Sequence, residues 1–147
     1  MKTKVISVDP DDAVQSAVEK ITKHQIGAVF VVSEGKLLGQ ISREDVLAHV
    51  LPSEQEFYDD LVHNLDFDHI QHRARELADL PARELMSPVN LTVEPDTPVM
   101  KVASWMSLRK IHRVAVVDDD GQLCGVASQG DIFDQVMKAE MAAAVPS

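Results

Sequence analysis

Gly125-Val126-Ala127-Ser128-Gln129-Gly130-Asp131 has a near-copy earlier in the chain, Gly39-Gln40-Ile41-Ser42-Arg43-Glu44-Asp45. Both read glycine, x, apolar, serine, two residues, aspartate. Working outward, the match continues. At an offset of 86, Leu37 falls on Leu123 and Gly35 on Gly121. Before that turn the offset is 85: Val31-Val32 meets Val116-Val117, Ile26 meets Ile111, and Ile21 meets Met106. Ala17 then meets Val102, Val14 meets Val99, and Val8-Asp9-Pro10-Asp11 meets Val93-Glu94-Pro95-Asp96. The single slip lies in a turn, Asp118-Asp119-Asp120-Gly121 against Ser33-Glu34-Gly35. The chain is two copies of a unit of about 50 residues.

Each copy reads the same way. A short strand comes first, Val5–Val8 or Leu91–Val93. A helix follows, opened by Asp11 and Asp12 in the first copy. In the second, Thr97 is the expected cap and Pro98 the first helical residue. These helices run to Lys23 and Leu108, with Val99, Val102, Ala103 and Met106 spaced for one buried face. A buried strand (Ala28–Val32, Val114–Val117), a tight glycine turn and a further strand (Leu37–Ile41, Leu123–Ala127) come next. A last helix, Arg43–Val50 or Gln129–Lys138, closes the unit. The order is β-α-β-β-α, which places the chain in the mixed α/β (α+β) class.

The division expected is a first unit at 1–50, an acidic helical insertion at 51–84, a second unit at 85–140 and a tail at 141–147. Residues 51–84 hold nine acids against three bases, so the middle differs from its flanks. Ser53 and Glu56 form a capping box there, and Phe57, Leu61, Leu65, Ile70, Ala74 and Leu77 make a somewhat irregular apolar stripe. Pro81 ends it, and a short helix, Ala82–Met86, leads on.

Composition narrows the function. A net charge of −10 over 147 residues disfavours nucleic acid. No apolar run reaches the roughly 20 residues a membrane helix needs. The start, MKTKVISVDPDD, turns acidic too soon for a secretory signal. A single cysteine, Cys124, allows no internal disulfide and suits the cytoplasm. No acid–base–nucleophile set converges on either copy, so no catalytic residue is assigned and no enzyme is expected. His63, His69 and His72 lie on the acidic segment, where a solvated face outweighs a metal site. Asp118-Asp119-Asp120-Gly121 is a hairpin turn without the alternating ligands of a calcium loop.

Two features remain as candidate binding residues. Ser42 with Asp45, and Ser128 with Asp131, read as helix N-caps. The same geometry suits a ligand, because a helix N-terminus attracts anions and a carboxylate accepts from two vicinal ribose hydroxyls. Local sequence leaves both readings open. His112 and Arg113 begin a buried strand, and a guanidinium fork matches phosphate oxygens. The first copy has Gly27 and Ala28 there, so the fold does not require this basic pair.

The repeat, the Val-x-Pro-Asp starts, the Ile-His-Arg…Val-Val-Asp strand, the Glu84–Val89 lead-in and the Gly-x-apolar-Ser-x-x-Asp ends resemble cystathionine β-synthase (CBS) domains. These occur as tandem pairs. The resemblance implies two units packed about a pseudo-twofold axis, with clefts that bind adenosine-containing ligands: AMP, ADP, ATP, NAD or S-adenosylmethionine. It implies Ser42, Asp45, Ser128 and Asp131 as ribose and phosphate contacts, and His112 and Arg113 as phosphate contacts. It also implies a regulatory module and a homodimer formed through helix faces. A module with empty clefts that only binds other proteins is the alternative, and a metal-responsive regulator a lesser one.

Overall fold

A computed structural model describes residues 5–55, 58 and 67–144. The chain forms two compact units. One comprises Ile6–Ser33 and Leu38–Pro88; the other holds the described residues of Met1–Val5, Glu34–Leu37 and Val89–Ser147.

The first unit contains β1 (Ser7–Val8), α1 (Val14–His24), β2 (Ala28–Ser33), most of β3 (Lys36–Ser42), α2 (Arg43–Val50) and α3 (Phe67–Asp79). A 3-10 turn follows at Ala82–Glu84. The sheet order is β1-β2-β3, with β1 parallel to β2 (Ser7 opposite Phe30, Val8 opposite Val31). Val8, Ala17, Ile21, Val29, Val31, Ile41 and Ala82 make its core. The second unit contains β4 (Thr92–Val93), α4 (Val99–Arg109), β5 (Arg113–Val117), β6 (Leu123–Ser128) and α5 (Gln129–Ala144). Its core is Val93, Val102, Met106, Val114, Val116, Ala127 and Ile132, with Leu91 and Ile111. Most positions of one core have a counterpart in the other. Where the first uses Ile21 and Ile41, the second uses Met106 and Ala127.

The helix-to-strand corners repeat too. Gln25 (φ 52) and Lys110 (φ 55) take left-handed conformations just past α1 and α4. The next amide reaches back in each, Ile26 N to Ile21 O at 3.1 Å and Ile111 N to Met106 O at 2.9 Å. Ile26 and Ile111 thereby pack on their cores, the apolar contact that accompanies such a terminus.

Several local expectations need correction. Thr97 does not cap α4. Its hydroxyl accepts from Glu94 N at 3.0 Å, so Pro98 becomes the N-cap residue and Val99 starts the helix. The first copy does the same with a carboxylate: Asp12 accepts from Asp9 N at 2.9 Å, and α1 begins at Val14 after Ala13. In both, the side chain closes the preceding turn. Val14 N is satisfied instead by Leu80 O at 2.8 Å. The short helix expected over 82–86 is only the 3-10 turn, and α5 runs past Lys138 to Ala144.

α3 packs against α1 and α2, with Leu77 buried at 2% exposure. Ala74 is exposed, and Arg73 takes the half-buried position beside Ile70 and Leu77. The Ser53–Glu56 box and the stripe at Phe57, Leu61 and Leu65 fall on or reach residues outside those described.

Candidate binding site at the strand-to-helix corners

β3 runs directly into α2, and β6 directly into α5, with a serine at each junction. Ser42 Oγ accepts from Asp45 N at 3.0 Å, and Asp45 Oδ2 accepts from Ser42 N at 2.9 Å. Ser128 Oγ accepts from Asp131 N at 3.1 Å, and Asp131 Oδ2 accepts from Ser128 N at 3.0 Å. Both motifs are reciprocal capping boxes. Each side chain satisfies a backbone donor that the helix start leaves over, and each aspartate adds its charge where the helix dipole favours it.

The second unit brings its basic residues to the same corner. β5 pairs with β6 antiparallel, and Arg113 stands directly opposite Ser128. Cross-strand partners share a face. Val114, Val116 and Ala127 point into the core with the helices, so alternation puts Arg113, Ala115 and Ser128 on the other face. Arg113 is half-buried, and desolvation by burial holds its guanidinium below its ordinary value. It stays charged at neutral pH. His112 O accepts from Gln129 N at 2.8 Å, and its Nδ1 lies 3.4 Å from Gln129 Oε1. His112 therefore meets the first residue of α5, while Arg113 pairs with the residue before it.

The first unit adds a residue that the sequence alone does not single out. Ser87 pairs with Gln40 at the edge of β3: Gln40 N donates to Ser87 O and Ser87 N to Gln40 O, both at 2.9 Å. Ser87 Oγ then donates to Asp45 Oδ2 at 3.0 Å. This explains the leading glycine of the motif. A Cβ on Gly39 would lie 2.8 Å from Ser87 O. The lead-in Glu84–Val89 is thus a clamp on the first copy's corner. Its one sequence signal is a serine before a proline, which has many uses.

Other candidates resolve simply. His72 Nε2 meets Glu76 Oε1 at 2.9 Å on an exposed face. His63 and the side chain of His69 lie outside the described residues. Among the described residues no three His, Cys, Asp or Glu side chains gather to hold a metal ion. Asp118 Oδ1 accepts from Asp120 N and Gln122 N at 2.9 Å each, closing the turn. Cys124 is half-buried and donates to Gln122 O at 3.6 Å. Among the described residues no helix is long and apolar enough to cross a membrane.

Two β-α-β-β-α units with matching cores and matching capped corners define a duplicated α+β module. Comparison with known proteins gives it a family: the CBS domain profile matches residues 1–52 and 82–138, and the chain belongs to the CBS domain family. The CBS domain-containing protein YhcV of Bacillus subtilis is 23% identical over 142 residues, covering 97% of this chain and 86% of that protein. Among solved structures, protein MJ1225 of Methanocaldococcus jannaschii superposes with TM-score 0.74 at 23% identity, over 92% of this chain and 45% of that one. CBSX2, crystallised in complex with AMP, superposes with TM-score 0.68 at 22% identity, over 93% of this chain and 90% of that one. These likenesses establish the tandem CBS fold.

Proposed function

We propose that this chain is a regulatory module that binds an adenine nucleotide or related adenosyl ligand and is not a catalyst. One observation carries the reading: the second unit sets Arg113 directly opposite Ser128, which is in turn boxed with Asp131. A ribose acceptor and a phosphate donor thus share one corner. The guanidinium fork of Arg113 matches phosphate oxygens in shape and charge. The AMP complex of CBSX2 supports the ligand class. AMP, ADP, ATP, NAD and S-adenosylmethionine are the ligands to try. The site residues proposed are Ser42, Asp45, His112, Arg113, Ser128 and Asp131.

The ligand acts by population shift, favouring whichever arrangement it binds better. Exposed Leu47 and Leu51 on one unit, and Leu108, Phe133 and Met141 on the other, suit a homodimer formed through helix faces. The strong negative charge speaks against nucleic acid, and a cytoplasmic setting suits the lone cysteine.

A thermal-shift panel of those five ligands tests the proposal. A ligand at about 100 times its Kd adds roughly 2.7 kcal/mol to folding stability. For a chain of this length that raises Tm by roughly 5–10 °C. A flat panel, repeated by calorimetric titration, would leave the empty interaction module as the better reading.

A further inference from the structure

The first copy carries no basic residue at Gly27 and Ala28, which suggests a corner without a phosphate group. The structure points elsewhere. The first residue of α2 is Arg43, and the equivalent first residue of α5 is Gln129. Both bond the start of the neighbouring strand in the same way, Arg43 N to Gly27 O at 2.9 Å and Gln129 N to His112 O at 2.8 Å. In the second unit the strand carries the base, and the helix answers with a neutral amide 3.4 Å away. In the first unit the roles are exchanged. The strand residue is glycine, and an Arg43 guanidinium nitrogen lies 3.6 Å from where its Cβ would stand. Each corner therefore has a basic group at the same junction, contributed by the strand in one copy and by the helix in the other.

From this exchange we infer that Arg43 is the phosphate-binding residue of the first unit, so that both corners take phosphorylated ligands. The inference rests on the adenosyl-ligand reading above. Arg43 is exposed, and its guanidinium has no hydrogen bond or ion pair among the described residues. Such a guanidinium offers its planar fork to an incoming phosphate. It also borders an open groove of about 440 Å³ lined by Ile21, Ile26, Val46 and Leu47. Service to that groove is the competing role, and the test separates the two.

The test titrates AMP and adenosine calorimetrically into full-length protein. An Asp131→Ala background silences the second unit. In it, Arg43→Gln raises the AMP Kd about tenfold and the adenosine Kd less than twofold, because a lost charge-assisted bond concerns only the phosphate. Adding Gly27→His restores much of the AMP affinity at pH 6, where an imidazole with pKa near 6.5 is mostly charged. That change copies the second unit's own solution. Equal effects on AMP and adenosine, or none, overturn the inference and assign Arg43 to the groove. So does AMP binding that Asp131→Ala abolishes completely, a result that leaves the adenosyl reading standing. Wild-type protein that binds neither ligand overturns the adenosyl reading and this inference with it.

Discussion

Gly39→Ala puts the structural account of the repeated motif at risk. The added Cβ would stand 2.8 Å from Ser87 O, 3.3 Å from Met86 Sδ and 3.4 Å from Met86 Cβ. The sulfur can rotate away and the Cβ contact is ordinary, but the carbonyl oxygen belongs to backbone that already pairs with Gln40. To reach ordinary contact, 86–87 must retreat by about half an ångström. The two 2.9 Å bonds between Gln40 and Ser87 then stretch beyond good hydrogen-bond length. Losing both costs about 1–3 kcal/mol. Alanine also restricts the unfolded chain, which returns about 0.4–1 kcal/mol. The net loss is about 1–2 kcal/mol, a Tm lowered by roughly 3–7 °C for a chain of this length. Scanning calorimetry measures the fall, and hydrogen exchange locates it at the Gln40 and Ser87 amides. Gly121→Ala is the contrast. Its φ of 81° with nothing near the new Cβ makes the penalty purely conformational, and the Gln40 and Ser87 amides keep their protection. A Gly39→Ala protein that melts within a degree of wild type, or loses stability with those amides still protected, would show that the Ser87 carbonyl does not require glycine at position 39.

Further outcomes are expected. Arg113→Ala weakens AMP at the second unit by roughly tenfold or more while sparing adenosine, since a hydrogen bond to a charged group is worth about 1.5–3 kcal/mol; titration calorimetry reads both, and equal losses would give Arg113 a structural role only. Asp131→Asn weakens both ligands yet keeps an acceptor for Ser128 N, so its Tm stays close to wild type; a large drop in Tm would mean the carboxylate serves the helix rather than a ribose. Ser87→Ala removes the hydroxyl from Asp45 Oδ2, which lowers stability by about 1 kcal/mol and leaves AMP binding at the first unit equal or tighter; weaker binding there would show that Ser87 belongs to the ligand's own contacts. The proposed homodimer is checked by sedimentation of wild type, expected to run as a dimer, against Leu47→Glu combined with Phe133→Glu, both on exposed apolar faces and expected to run as a monomer.

Much of the fold was legible because the repeat supplied two readings of every element. Helix α2 is expected at Arg43–Val50 and is found there, since a serine cap with an acid three residues on is a strong local signal. The starts of α1 and α4 mislead through the same chemistry. A side chain that can cap a helix can also close the turn before it, and Asp12 and Thr97 do the second. Position 74 misleads because apolar spacing cannot tell which of two neighbouring residues faces α1 and α2; the half-buried residue is Arg73, whose aliphatic stem can line such a surface. The Ser87–Asp45 contact is out of reach of local reading, because it joins positions 42 residues apart through a bare serine.

The structure also changes what the repeated motif can be asked to prove. In the first copy its defining residues all serve the fold. Gly39 admits Ser87, Ile41 is fully buried, and Ser42 and Asp45 cap α2. A motif so fully occupied by folding would recur in any tandem pair, whether or not it binds anything. Evidence for a ligand must therefore come from residues the fold leaves free to vary. Gly27 against His112, and Arg43 against Gln129, are such residues, since equivalent corners close equally well with either set. Random drift has no reason to place a base on the helix in the copy where the strand lacks one. If Arg43 and His112 are alternative answers to one demand, that demand is a negative charge at each corner, and phosphorylated ligands should occupy two sites per chain. A stoichiometry of one AMP per chain, abolished by Arg113→Ala and untouched by Arg43→Gln, would instead make the first corner a purely structural joint.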